Sequence, residues 1–189
     1  MKNFVLGFFI VVSSFVSFSQ NIDINKIDYS KLNNAVFIKI NEYRNSIGLD
    51  TLLYSKTVES FISKPNMNKM VLSKKLFHPG YSISDEKFLS DLSLEYKTIT
   101  NNKCFSGNPI MNFIGSNGEI LFSTNQQNIT YEEFAQLALN GWLNSPPHKK
   151  IIETSYKNLN NYSGLASCQI NKVGDNFFVI FNFIQMIYM

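Results

Sequence analysis

Cysteine and histidine are limited to two each in this chain of 189 residues, tryptophan to one, and arginine to Arg44 alone. With no HExxH and no closely spaced Cys/His pairs, the sequence contains no local metal cluster. A basic stripe is also missing. The net charge of +3 is spread over scattered lysines that never run longer than a pair, which argues against nucleic-acid binding. Charged residues, at 16%, are too few for a coiled coil, while 44% hydrophobic and 14% aromatic content excludes a disordered chain. Beyond the N-terminus, no apolar run reaches the ~18 residues of a membrane helix.

What is present begins with an export signal. Lys2 precedes the apolar run Phe4 to Val12, and Ser13, Ser14, Ser17 and Ser19 follow. This order describes a signal peptide over residues 1–19, cleaved before Gln20. The run is too short to cross ~30 Å of hydrocarbon, and no cysteine stands near the cleavage point to carry a lipid. The protein is expected to be exported, either to a periplasm or out of the cell. Residues 20–31 read as a polar lead-in and residues 32–189 as one domain, large enough to sustain its own core. In an oxidising compartment Cys104 and Cys168 either form one bridge or remain two thiols, one of them packed in a strand.

Asp28 can cap a first helix, whose face is Leu32, Val36, Ile40, Tyr43 and Ile47, with Gly48 stopping it. Ser55 can cap a second helix with Val58, Phe61 and Ile62 inward. Pro65 is expected to break or kink it, and Met67 to Phe77 to resume it until His78-Pro79-Gly80. Phe88, Leu89 and Leu92 have helical spacing, and Ile110 to Ile114 reads as a short strand. Thr130 and Glu133 form a capping box ahead of Phe134, Leu137, Ala138, Gly141 and Trp142. A short helix over Pro146 to Ile152 is expected next. A hairpin closes the chain, its second strand (Asn176 to Met186) apolar enough to be central. The fold class is therefore α+β, with helices covering a small antiparallel sheet.

Few residues could carry chemistry. His78 and His148 each stand beside proline at a helix boundary, where a histidine most simply ends a helix. Ser145 precedes His148 by three, but Ser-Pro reads better as an N-cap followed by proline at the first helical position, and no G-x-S-x-G elbow exists. Glu119 follows Asn117-Gly118 and reads as a turn carboxylate. Glu132 and Glu133 suit a helix N-terminus.

Several of these pieces together resemble the CAP superfamily (cysteine-rich secretory proteins, antigen 5 and pathogenesis-related 1 proteins; the SCP domain), in particular its bacterial secreted branch. Asn41-Glu42-Tyr43-Arg44 with Gly48-Leu49 and Leu52 resembles the first-helix signature. Phe77-His78 is similar to the first cavity histidine, and Gly118-Glu119 to the start of the Gly-Glu-Asn element. Trp142-Leu143-Asn144-Ser145-Pro146-Pro147-His148-Lys149 resembles the bacterial Trp-x-x-Ser-Pro-Gly-His-Arg motif. The departures are Ile120 for Asn, Pro147 for Gly and Lys149 for Arg. Ser145 stands where eukaryotic members carry a second acid. The resemblance spans about residues 32–185.

It implies an α-β-α sandwich with a cleft holding His78, Glu119 and His148, with Ser145 adjacent. It also implies that the two histidines hold a divalent metal, zinc in some relatives, as an open site. Two functions follow, beside a third reading as a purely structural envelope or matrix protein with a vestigial cleft. One is a secreted scaffold, expected to be a monomer, that binds a small apolar ligand, a lipid, an envelope component or a partner protein. The other is a metal-dependent hydrolase acting on peptide or envelope substrates, with Glu119 as general base. Binding ranks first, because the second carboxylate is missing.

Overall fold

The computed structural model describes residues 20–80, 85–99, 109–112, 118–154 and 163–188. Helix α1 (Tyr29–Ser46) is capped by Asp28, which accepts from the Lys31 backbone N–H at 2.9 Å. Its stripe of Leu32, Val36 and Ile40 is buried as the spacing predicts, but Ile47, expected on the same face, follows the last helical residue and is exposed. The lead-in is less polar in behaviour than in composition. Ile22 is buried, its N–H donates to the Ile129 carbonyl at 3.0 Å, and the segment thereby packs against the start of α5 (Tyr131–Leu143).

After strand β1 (Leu53–Tyr54), Ser55 caps a helix that does not break at Pro65. It runs through α2 (Lys56–Val58), a π-helical turn (Glu59–Ser63) and α3 (Lys64–Ser73). The disturbance expected at Pro65 takes the form of this π turn and not of a break. Pro65 has no N–H and would crowd the carbonyl four residues back, and the widened π turn, in which the Lys64 N–H reaches the Glu59 carbonyl, accommodates it. The helix also stops short of the expected end at His78. Lys74 adopts a left-handed conformation (φ 54°) and closes it. Helix α4 (Glu86–Ile99) is tied to the start of α2 by Glu95, which accepts from the Lys56 and Thr57 N–H groups at 2.6 and 3.1 Å.

Strands β2 (Pro109–Asn112), β3 (Glu119–Thr124), β4 (Ser163–Val173) and β5 (Asn176–Tyr188) complete one five-stranded sheet in the order β1-β4-β5-β2, with β3 also paired to β5. The apolar strand β5 is central, as expected. The sheet is mixed rather than antiparallel, because β1 pairs with β4 in parallel across Leu53↔Leu165 and Tyr54↔Ala166. A chain that enters the edge from α1 and leaves at once into α2 has no turn that would reverse it.

Period-two alternation along β5 sorts the core into two layers. Phe177, Val179, Phe181 and Phe183 meet α1, α5 and α6 (Pro146–Ile152). Phe178, Ile180 and Ile184 meet the opposite helical layer, where Met70, Phe88 and Leu92 are buried. The architecture is therefore α+β, a sheet sandwiched between helices. Cys168 lies on β4 in the first layer as a buried free thiol, and burial pushes its pKa up. Cys104 lies outside the described residues.

Arg44 is fully buried. Its Nε donates to the Asp50 carbonyl at 2.9 Å, and its Nη1 donates to the Ile152 and Thr154 carbonyls at the end of α6. The Phe183 ring lies 5.9 Å away. Asn41 does a related job: its amide donates to the Leu52 carbonyl at 3.1 Å and accepts from the Leu52 N–H at 2.7 Å, as a strand neighbour would. Arg44→Ala strands several buried carbonyls and opens a cavity, so it is expected to lose about 3 kcal/mol or more of stability. Urea denaturation measures this, and an unchanged midpoint contradicts the assignment.

Candidate functional site

The site starts from a row of buried polar residues on one face of the sheet. Glu119 opens β3 directly opposite Asn182 on β5, and Asn182 in turn stands opposite Ser167 on β4. All three point into the layer of α2, α3 and α4, and all are buried. The helix above supplies their partners. Ser63 ends the π turn, contacts the Ser167 hydroxyl and donates to Asn182 Oδ1 at 2.6 Å. Asn66, one turn later, donates to Glu119 Oε2 at 2.8 Å, and Asn182 donates to the same oxygen at 3.2 Å.

Glu119 is only 3% exposed, so its charge depends on these donors. Its second oxygen, Oε1, takes the third. His78 Nδ1 lies 3.0 Å away and donates to it. A carboxylate behind Nδ1 sets the tautomer and leaves Nε2 with a free lone pair. The His78 side chain is 56% exposed, so that nitrogen is open to solvent.

His148 arrives by a different route. Trp142, at the end of α5, is fully buried and donates from Nε1 to the Leu121 carbonyl on β3 at 2.9 Å. This ties α5 to β3, and α6 packs on α5. His148, in the first turn of α6, is half-buried, and its pKa is lowered first by desolvation and then by the charge of His78. The two imidazoles are therefore electrostatic neighbours although 70 positions separate 78 from 148 in the sequence.

The three groups converge unequally. His78 and Glu119 are in contact, and His148 is linked to them only through the charge of His78. Among the described residues, however, no three His, Cys, Asp or Glu side chains form a group that could hold a metal ion. Ser145 is the N-cap of α6, as its Ser-Pro sequence suggests, but its side chain makes no capping bond. Sequence reasoning missed Ser63, Asn66, Ser167 and Asn182. Asn182 left a readable trace, as a polar residue inside the apolar run of β5. Ser63 and Asn66 are spaced three apart on one helical face, but nothing in the sequence marks what they face.

No family model matches the chain, and no curated protein matches it. Among solved structures it is similar to an outer surface protein of Borrelia burgdorferi. That likeness has 19% identity and a TM-score of 0.47, and it covers 83% of this chain and 96% of the other. It is too remote to bear on function. Among the described residues no helix is long and apolar enough to cross a membrane.

Two outcomes follow from this geometry. Asn182→Leu removes one donor from a buried carboxylate and the acceptor of Ser63, so it is expected to cost ~1–3 kcal/mol in chemical denaturation. The His148 ring is expected to titrate below the ordinary value of 6.5 in an NMR titration, and to move back towards it in His78→Ala. The sign for stability is fixed. The unfolded chain takes up a proton near pH 6.5 that the fold resists, so His148 costs stability as pH falls below 6.5 and costs none well above it.

Proposed function

We propose that the chain is an exported binding domain of the CAP type, whose cleft of His78, Glu119 and His148 recognises a ligand or envelope component rather than turning over a substrate. The observation that carries this reading is the commitment of Glu119. Oε2 accepts from two asparagine amides and Oε1 from His78, so neither oxygen is free to take a proton from water. The acid acts as the group that orients His78. A hydrolase with Glu119 as general base has no second carboxylate in the cleft to replace it, and it ranks behind binding for that reason.

The CAP resemblance gains support from what its motif residues do. Asn41 and Arg44 join α1 to its connector and to the end of α6, Gly48 takes a positive φ of 73°, and Trp142 locks α5 to β3. Export rests on the N-terminal sequence, in residues 1–19.

The ligands we assign to a divalent ion are two imidazoles, since among the described residues no three protein ligands form a group. His78 would bind through Nε2, with Glu119 behind Nδ1 as the carboxylate that zinc-binding histidines usually have, and His148 would be the second ligand. Resistance of His148 to protonation favours the neutral ring that a metal needs. When bound, such an ion supplies a Lewis-acidic contact for a carboxylate or phosphate of the ligand.

Calorimetric titration with zinc chloride tests the assignment. The wild-type chain is expected to take up zinc weakly, with uptake falling as pH drops below 6 to 7, where histidine protonates. The His78→Ala/His148→Ala variant is expected to take up none. Equal uptake by both proteins removes the metal from the proposal, and chelator-insensitive hydrolysis that survives Glu119→Gln removes the metal-dependent hydrolase.

A further inference from the structure

From the last turn of α3 onward, every residue from Leu72 to His78 is exposed. Three of them are large and apolar: Leu72 is 84% exposed, Leu76 37% and Phe77 40%. Apolar side chains left in water so close together mark a contact surface. The segment is also charged with one sign. Between Glu59 and Asp85 the sequence has no acidic residue, but it has Lys64, Lys69, Lys74 and Lys75. Among the described residues neither Lys74 nor Lys75 forms an ion pair.

The fold holds this tip in shape. Lys74 takes a left-handed conformation that is costly for a lysine, and the Lys74 and Lys75 N–H groups bond back to the Val71 and Met70 carbonyls at 3.2 and 3.3 Å. The contrast on α4 is instructive. Leu94 is also 66% exposed, but the cleft it lines sets Asp91 and Glu95 against a single lysine, Lys56.

We propose that the Leu72–Phe77 segment docks the protein on an anionic lipid surface. Leu72, Leu76 and Phe77 enter the boundary between headgroups and acyl chains, and Lys69, Lys74 and Lys75 lie against acidic headgroups. The charge selects the sign of the partner. The form selects a bilayer over a protein, because a specific protein interface draws on roughly 800 Å² per side, whereas a short run of consecutive exposed residues suits shallow insertion. The inference stands apart from the binding role of the cleft. If both hold, His78, next in the chain, faces the membrane.

The test is co-sedimentation of the chain from Gln20, which contains every described element, with two kinds of vesicle. One is phosphatidylcholine alone, and the other is a phosphatidylcholine–phosphatidylglycerol mixture. The wild type is expected to sediment with the mixture and not with phosphatidylcholine, and to be released by salt. Lys74→Glu/Lys75→Glu and Leu72→Ser/Phe77→Ser are each expected to weaken partitioning by about tenfold or more. Leu94→Ser is expected to leave it unchanged. All these positions are exposed, so thermal melts matching the wild type confirm that each variant is folded. The proposal is overturned by no binding to either vesicle, by equal binding to both, or by folded double variants that partition like the wild type.

Discussion

A single buried carboxylate organises the middle of this molecule. Glu119 carries a charge where the sheet meets a helical layer, and a charge there persists only if donors replace the lost water. Those donors come from α3, β5 and the segment after α3. Satisfying Glu119 therefore fixes how the helix lies on the sheet and where His78 points. The polar row extends to Ser167 and Ser63, so the group is satisfied as a network rather than pair by pair. The π turn belongs to the same arrangement. It absorbs Pro65 and ends at Ser63, one turn ahead of Asn66.

Arg44 plays the matching part in the other layer. Its guanidinium spends its donors on backbone carbonyls at a loop and at the end of α6, and so closes the helix that carries His148. Two unrelated buried charges anchor the elements that bear the two imidazoles. Glu119 holds the first histidine directly, while Arg44 and Trp142 place the second through α5 and α6. Glu59 shows that such anchoring recurs. Burial works to raise its pKa, but Lys64, Tyr54 and Gln169 outweigh that and hold it low.

Much of the fold was legible in advance because its signals are local. The stripe of Leu32, Val36 and Ile40, the Thr130/Glu133 capping box (both of whose hydrogen bonds are present) and the apolar run of β5 each depend only on neighbours within a few residues. Asn41, Arg44, Gly48 and Trp142 mark places where backbone groups must be satisfied or a chain must turn, and such duties tolerate few residue types. The errors were also physical. Pro65 reads as a breaker because a proline forbids one hydrogen bond, and nothing local announces that a wider turn will make up for it. The parallel pairing of β1 depends on where α2 must go, not on Leu53 or Tyr54.

The sequence by itself determined which segments are helical or extended, which face of each is apolar, and which few residues have acid–base or ligand chemistry. Periodicity, caps and residue type are properties of a short stretch of chain. Only the tertiary structure decided that Glu119 pairs with His78, that Asn66 and Asn182 hold it, and that His148 feels the charge of His78. Those roles arise from desolvation and from donors supplied by distant segments, and neither exists until the layers close over the sheet.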